Sequence, residues 1–230
     1  GRCWVRVAKG SCTLYAVRST PSVYCRLPFI AGVIVPLARV ALIIALVGAT
    51  CASASAQGTI PPAEQQVAAA VLALPAELRD GATVMGYKEA GKLVVLREGK
   101  NGMHCLALYV TRPDFHVACY HKGLEPFMAR GRSLRAEGVK GEQVDSVRFK
   151  EIKNGKLKMP AQGSLYTITG KKESYDAATN KVTGAGTLMV LYIPGATPES
   201  IGVTAQPRND GPWLMFPGTP KAHVMIAGKM

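Results

Sequence analysis

One unbroken apolar run decides which part of this chain is available to fold. Residues Val40 to Ala49 carry no polar side chain, follow directly on Arg39 and lead into small residues that end in Ala54-Ser55-Ala56. A basic flank, a short apolar core and a small-residue cleavage site are the parts of a secretory signal peptide. We therefore predict cleavage after Ala56 and an exported mature protein that begins at Gln57.

Two other interpretations of this run are weaker. A membrane anchor needs about 20 apolar residues, and extending the run back to Phe29 reaches that length only by including Pro36 and Arg39. A lipoprotein signal would end at Cys51, but the Gly-Ala-Thr before this cysteine is a poor match to a lipidation motif. The Ala-Ser-Ala ending favours the signal peptide.

The predicted cleavage divides the chain into three parts. Residues 1–32 have no role in an export signal and are expected to be an upstream or untranslated extension, whereas residues 33–56 form the signal peptide. Residues 57–230 form a single mature domain, because they contain no internal repeat and no second linker, and their length is enough to bury a core. We expect the mature protein in the periplasm or outside the cell.

The net charge is smaller in the mature part than in the whole chain. The formal charge is +13, but six of the 28 Lys and Arg precede Gln57 and all 15 Asp and Glu follow it, which leaves +7. Such an excess favours non-specific attraction to anionic surfaces and does not indicate a fold or a reaction. Export disfavours a nucleic-acid partner, and we expect no membrane span after cleavage.

Two cysteines remain after the predicted cleavage, and an exported protein favours their oxidation to a disulfide. Cys105 and Cys119 lie in two apolar runs on either side of Thr111-Arg112-Pro113-Asp114. A hairpin turn centred on Arg112 places Cys105 directly opposite Cys119, with Cβ atoms about 4.5–5.5 Å apart. A modest adjustment would bring them within reach of a disulfide, so we predict a Cys105–Cys119 bridge across a hairpin.

The same hairpin carries three of the four histidines, so free thiols or a metal site are the alternatives to a disulfide. Period-two alternation places Cys105, Cys119 and His121 on one face. Three ligands fall short of the four that a structural zinc site usually has, and we expect neither a metal nor a cofactor. The candidate ligand-facing residues of this hairpin are His104, His116, Tyr120 and His121.

Hydrophobic periodicity predicts an α+β fold, in which an antiparallel sheet packs with an N-terminal helix and a central helical hairpin. Pro61-Pro62 open the first helix, which Pro75 splits and Gly81 ends. The central helices run from Leu124 to a cap at Gly138 and over residues 142–154. Alternating runs predict strands at 83–88, 92–97, 103–110, 115–121, 164–169, 187–193, 213–216 and 222–226.

The mature chain carries no catalytic signature. It has no Gly-x-Ser-x-Gly elbow, no His-Glu-x-x-His and no phosphate loop. The central helical hairpin and its tail are rich in basic residues, but acids lie between them, which is typical of a solvated surface. These basic residues are Arg130, Arg132, Arg135, Lys140, Arg148, Lys150, Lys153, Lys156 and Lys158.

The closing segment places Trp213 and His223 on either side of a Pro-Gly-Thr-Pro turn. Residues of these types are more often core or rim residues than ligand contacts, and we keep both as candidate ligand-facing residues. This ending, with Asn101-Gly102-x-x-Cys105 and a Thr-Gly pair before an apolar strand, resembles a family of uncharacterised secreted bacterial proteins. The resemblance implies export and a shared fold, and carries over no catalytic residue.

These observations favour an exported, non-catalytic domain that binds a small ligand or an envelope component. The histidine-bearing hairpin and Trp213 would line its pocket. A secreted hydrolase is the alternative, and it requires His116, His121 or His223 to lie beside a Ser, Thr or Asp in a cleft. A weaker alternative is a metal-binding protein that uses the histidines as ligands.

Overall fold

The computed structural model describes residues 59–108 and 112–229, which belong to one compact unit, Ala56–Met230. The predicted signal peptide, the extension before it and the tip of the cysteine hairpin lie outside the described residues. Among the described helices, none combines the length and the apolar character needed to cross a membrane.

The fold is α+β, as predicted, and its largest element is a mixed sheet of eight strands. Its first four strands are β1 (Thr83–Glu89), β2 (Lys92–Arg97), β3 (Met103–Leu106) and β4 (Asp114–His121). The others are β5 (Gly163–Lys171), β8 (Gly186–Tyr192), β9 (Trp213–Met215) and β10 (His223–Lys229). The spatial order is β2-β1-β3-β4-β5-β8-β10-β9, and a separate ribbon pairs β6 (Tyr175–Asp176) with β7 (Lys181–Val182).

Five α-helices accompany the described strands. They are α1 (Ala63–Ala70), α2 (Ala76–Arg79), α3 (Glu125–Ala136), α4 (Gln143–Lys153) and α5 (Pro198–Ile201). A 3-10 turn over Val71–Ala73 follows α1, and Pro75 separates that turn from α2. The predicted split of the N-terminal helix at Pro75 is therefore confirmed, because proline cannot supply the backbone N–H that a continuous helix needs.

One strand pairing differs from the predicted antiparallel sheet. Strand β3 runs parallel to β1, whereas every other pairing of the large sheet is antiparallel. The cause is the loop after β2, which crosses the start of β1: the backbone N–H groups of Lys100 and Asn101 both donate to the carbonyl of Gly81. The chain therefore enters β3 from the same end as β1.

The N-terminal helix covers one face of the sheet. Its apolar side, with Ala70, Val71 and Leu74, packs on both cysteines of the central strands. Gln66, which is buried, fixes the helix to β1, since its side-chain amide donates to the carbonyl of Tyr87 and accepts from the N–H of the same residue, both at 2.8 Å. The helix is thus held by hydrogen bonds as well as by apolar contact.

The helical hairpin of α3 and α4 covers part of the other face. Phe127 of α3 is 1 % exposed and packs with Tyr120, Val190 and Tyr192 of the sheet. At the far side of α3, the guanidinium of Arg130 lies 2.8 Å from a carboxylate oxygen of Glu151 on α4. The predicted hairpin is present, and its two helices are joined by an ion pair.

The predicted disulfide is present and has the predicted register. Cys105 of β3 lies opposite Cys119 of β4, with 4.0 Å between their Cα atoms and a sulfur–sulfur bond of 2.06 Å. Both residues are fully buried beneath α1. The bridge therefore joins two adjacent strands in the interior of the sheet.

The two outer strands of the sheet differ in length and regularity. Strand β9 has three residues, whereas β2 has six and exposes 47 % of Val95. The pairing of β2 with β1 is interrupted twice, because Leu96 has no partner residue on β1 and Lys88 has none on β2. Such bulges increase the local twist of a strand.

Candidate functional site

The predicted ligand-facing residues of the cysteine hairpin separate into two groups. His104 and Tyr120 are cross-strand partners, and their ring centroids are 6.1 Å apart. His121 lies on the opposite face with the cysteines, and its Nδ1 accepts a hydrogen bond from the N–H of Gly123. The hairpin therefore does not present its histidines to one pocket.

His104 and Tyr120 belong to a polar cluster at the start of α3. The Tyr120 hydroxyl donates to Glu125 at 2.5 Å, and Arg132 contacts both the hydroxyl and the carboxylate. Burial, and then the hydrogen bond to Glu125, raises the pKa of Tyr120. Because each of these charged groups already has a partner, the cluster is suited to holding α3 on the sheet.

His116 lies farther along β4, away from this cluster. Its Nδ1 is 2.8 Å from the hydroxyl oxygen of Thr169, its partner residue on β5. Burial, assisted by Arg112, lowers the pKa of His116, so this histidine is neutral near pH 7. A cross-strand His–Thr pair of this kind ordinarily contributes to sheet pairing.

His223, from the closing segment, is held in one tautomer. It is 6 % exposed, and its Nδ1 lies 2.6 Å from the carbonyl oxygen of Lys221. Because a carbonyl only accepts, Nδ1 carries the proton and Nε2 carries the lone pair. Burial lowers the pKa of His223, so the ring is neutral near pH 7.

Tyr192 of β8 is the cross-strand partner of His223, and their ring centroids are 4.9 Å apart. Burial raises the pKa of Tyr192 to about 12, which keeps the hydroxyl protonated. No group in the described part of the chain hydrogen-bonds to this hydroxyl or to His223 Nε2, and neither atom is sealed from solvent. Two adjacent rings therefore carry a donor and an acceptor that bond to no described group.

Phe216 lies beside this pair in a conformation that non-glycine residues seldom adopt. Its φ is 55°, its side chain is 41 % exposed, and its ring centroid is 5.6 Å from that of His223. The carbonyl of Phe216 accepts hydrogen bonds from the backbone and the hydroxyl of Thr219, which hold the turn in place. Backbone strain maintained in this way is often found at functional sites.

Ion pairs through Asp145 connect the same turn to α4. Lys221 lies 4.2 Å above the ring of Phe216, and its Nζ is 2.8 Å from Asp145. Arg148 also binds Asp145, and its guanidinium stacks at 3.7 Å on Phe127. Burial alone would raise the pKa of Asp145, but the hydrogen bonds from Lys221 and Arg148 lower it overall. Together, Asp145, Arg148 and Lys221 carry a net charge of +1.

We call this set the closing-turn site; it consists of Asp145, Arg148, Tyr192, Phe216, Lys221 and His223. Comparisons of the chain with protein-family models, with curated proteins and with solved structures find no match. The family resemblance of the closing segment therefore stays a prediction, and the chemistry of the site has to be inferred from its geometry.

The closing-turn site offers groups suited to recognising a ligand. A protonated phenol donates, a neutral imidazole accepts, and an exposed phenyl ring offers a flat apolar surface. No described serine, threonine or cysteine hydrogen-bonds to His223, so a nucleophile is not positioned beside it. Within the described residues no group of three or more His, Cys, Asp and Glu has the arrangement of a metal site.

Sequence reasoning found part of this site. His223 was a candidate, and Trp213 lies on the adjacent edge strand, paired with Met225 two residues beyond His223. The sequence predicts Tyr192 only as part of a strand and Arg148 as one of several surface cations, although Arg148 is 4 % exposed. The interpretation of Arg148 was wrong because the stacking of its guanidinium on Phe127, 21 residues earlier, depends on how α3 and α4 pack.

A concave feature of the described chain lies beside α1 and includes no residue of the closing-turn site. A shallow groove of about 600 Å³ runs between α1 and the β6–β7 ribbon. Tyr175, stacked on Phe115 at 4.9 Å, and Asn180 form one wall. The hydroxyl of Tyr175 donates to Asn180, so these polar groups already satisfy each other and provide less for a ligand to bind.

Proposed function

We propose that the protein is an exported, non-catalytic domain that binds a small ligand derived from the cell envelope at the closing-turn site. The observation that carries this proposal is the pair of rings of Tyr192 and His223, 4.9 Å apart, whose hydroxyl and Nε2 bond to no described group and which lie beside the exposed ring of Phe216. Because both polar atoms are open to solvent and bond to no described group, a ligand can reach them without breaking a hydrogen bond inside the protein.

The buried disulfide supports the export part of the proposal. Bridges of this kind persist in oxidising compartments and are rare in the reducing cytosol. Cys105 and Cys119 are joined in the folded domain, and the apolar run before Gln57 has the order of a cleavable signal. The envelope is then the place where the domain would meet its ligand.

The geometry indicates which ligands fit. A hydroxyl or primary amide can accept from Tyr192 and donate to His223 at once, and a flat apolar face can lie on Phe216. The single excess positive charge of Lys221, Arg148 and Asp145 disfavours cationic ligands. Sugars and short peptides, neutral or carrying one negative charge, are therefore the classes to test.

Fluorescence titration tests this proposal directly. Trp213 is the only tryptophan after the predicted cleavage point and lies on the strand next to His223. We expect a saturable change in its emission with at least one member of a panel of envelope sugars and short peptides, and calorimetry should confirm the same ligand. The absence of both signals across the panel would contradict the proposal.

A matched pair of tyrosine variants distinguishes site binding from general damage. Tyr192→Phe removes only the hydroxyl, and we expect affinity to fall about fivefold to tenfold, the value of one hydrogen bond. Tyr166→Phe makes the same change at a partly buried tyrosine that packs on the cysteine side of the sheet, and it should leave affinity unchanged. Equal losses in both variants would count against the closing-turn site.

The hydrolase alternative retains one supporting observation. His116 lies beside the Thr169 hydroxyl at 2.8 Å, as a base beside a nucleophile would. No described group hydrogen-bonds to the other ring nitrogen of His116 to orient it. Hydrolysis of an ester or peptide panel by the native protein, abolished in Thr169→Val, would replace the binding proposal with this one.

A further inference from the structure

In the folded structure, acids of the helical hairpin form ion pairs with particular bases, which the sequence does not show. In the sequence, acids alternate with bases, which is typical of a solvated mixed surface. In the structure, four of the five acids, all but Glu142, are paired: Glu151 and Glu137 bind Arg130, while Glu125 binds Arg132. Asp145 binds Arg148 and Lys221. The four cations in these pairs are Arg130, Arg132, Arg148 and Lys221, and none of them is a lysine at the end of α4.

Four lysines at the end of α4 and in the turn after it are left without a salt bridge to any described residue. All are exposed, and only Lys156 has a longer-range electrostatic interaction, with Glu151. We call them the lysine strip; it consists of Lys150, Lys153, Lys156 and Lys158.

The fold holds the lysine strip on one outward surface. The buried side of α4 carries Val144 and Arg148, and Lys150 and Lys153 lie on the opposite side, three residues apart, where side chains are neighbours. After α4, the N–H groups of Lys156 and Leu157 both donate to the carbonyl of Glu151, which folds the tail back onto the last helical turn. Like charges at the end of α4 and in the tail after it are thus brought near one another although they repel.

We propose that the lysine strip is a docking surface for anionic phospholipid membranes. Grouped lysines that lack acid partners are attracted to a negatively charged lipid surface. The strip contains neither arginine, which forms bidentate contacts with phosphate, nor an exposed aromatic residue for base stacking. A diffuse charged surface fits this composition better than a nucleic acid does.

The docking surface goes beyond the ligand site and is independent of it. Lys221 belongs to the closing-turn site and is already paired with Asp145, so it is not part of the strip. Failure of membrane docking would leave ligand binding at Tyr192 and His223 untouched, and failure of ligand binding would leave docking untouched.

Vesicle co-sedimentation of the mature protein tests the proposal. The probes are phosphatidylcholine vesicles with and without about 30 % phosphatidylglycerol. We expect binding only to the anionic vesicles, and release on raising the salt from about 0.05 M to about 0.5 M, because screening weakens exposed charges. An absence of binding to anionic vesicles at low salt overturns the proposal.

Two variants that lose the same number of positive charges distinguish an effect of the lysine strip from an effect of net charge. In the first, Lys150, Lys153, Lys156 and Lys158 are all changed to Gln. In the second, the exposed Lys88, Lys171, Lys172 and Lys181 are changed to Gln. We expect the strip variant to bind anionic vesicles at least about tenfold more weakly, with little change in the second variant.

Two further outcomes would contradict the proposal. Equal weakening of the two variants would mean that net charge alone, and not the strip, attracts the protein. Tighter binding of duplex DNA than of anionic vesicles at the same salt concentration, lost in the strip variant, would assign the surface to a nucleic acid instead. Circular dichroism of both variants provides the check that they are folded.

Discussion

The most informative single residue in this protein is Arg148, because its role depends entirely on contacts that sequence spacing does not indicate. It is 4 % exposed, stacks on Phe127, donates to the carbonyl of the same residue at 3.0 Å and binds Asp145. Its Nε is buried and has no hydrogen-bond partner among the described residues. The side chain therefore both stabilises the helix pair and leaves one polar atom unsatisfied.

We predict that Arg148→Ala lowers the free energy of unfolding by about 3 kcal/mol, since it removes a stacked cation and breaks a partly buried ion pair. Arg148→Met should cost less, because methionine keeps the apolar stem that packs on Phe127. Urea denaturation measures both. Lys150→Ala, an exposed change on the same helix, is the control and should stay within about 0.5 kcal/mol of the native protein.

His223 gives a prediction for pH dependence. Burial lowers its pKa below the ordinary value of 6.5, so below that pH the unfolded state takes up a proton that the folded state does not. Stability should therefore fall as the pH is lowered from about 7.5 to about 5. His116 acts in the same direction, so His223→Gln should reduce the slope without removing it. Denaturation at several pH values measures the slope, and an unchanged slope would show that His223 does not contribute.

At the scale of elements, the parts fixed by local chemistry could be predicted and the parts fixed by distant contacts could not. The Pro75 split and the Cys105–Cys119 register follow from neighbouring residues, because proline and strand alternation act locally. The parallel pairing of β3 with β1 depends on hydrogen bonds to Gly81 from a loop almost twenty residues away.

The candidate site, like the fold, could be predicted from the sequence only in part. His223 stood out because histidines are few and it follows an unusual turn. Tyr192 was missed because an apolar strand residue shows no sign of an unpartnered hydroxyl until its neighbours are placed. The strain at Phe216 was also missed, since nothing in Met-Phe-Pro-Gly predicts a positive φ at a phenylalanine.

The disulfide between β3 and β4 gives a prediction at this scale. It closes a loop with a sequence separation of 14 residues, and on the chain-entropy estimate such a bridge adds about 3 kcal/mol to stability. We expect Cys105→Ser with Cys119→Ser to lower the unfolding free energy by roughly that amount in urea. Reductant should destabilise the native protein and leave the double variant unchanged. A thiol titration that finds two free cysteines in the native exported protein would contradict the bridge.

At the scale of the whole molecule, the predicted export signal and the folded domain can be tested together. We expect the protein recovered from a periplasm to have a mass that begins at Gln57 and is two daltons below that of the reduced chain, because the bridge removes two hydrogens. Native mass spectrometry measures this, and a co-purified organic adduct would identify the ligand class. A mass that retains residues before Gln57 would contradict the predicted cleavage.

The irregular outer strands of the sheet have a consequence for behaviour at high concentration. An open sheet can recruit strands from other copies and grow into fibrils wherever a long, regular edge is free. Here β9 offers three residues, and β2 begins with Lys92 and loses its register at Leu96. Neither edge is a good template, so ordered aggregation of the native protein is disfavoured at both. The rate at which the protein aggregates in concentrated solution should therefore be set by how often the domain unfolds.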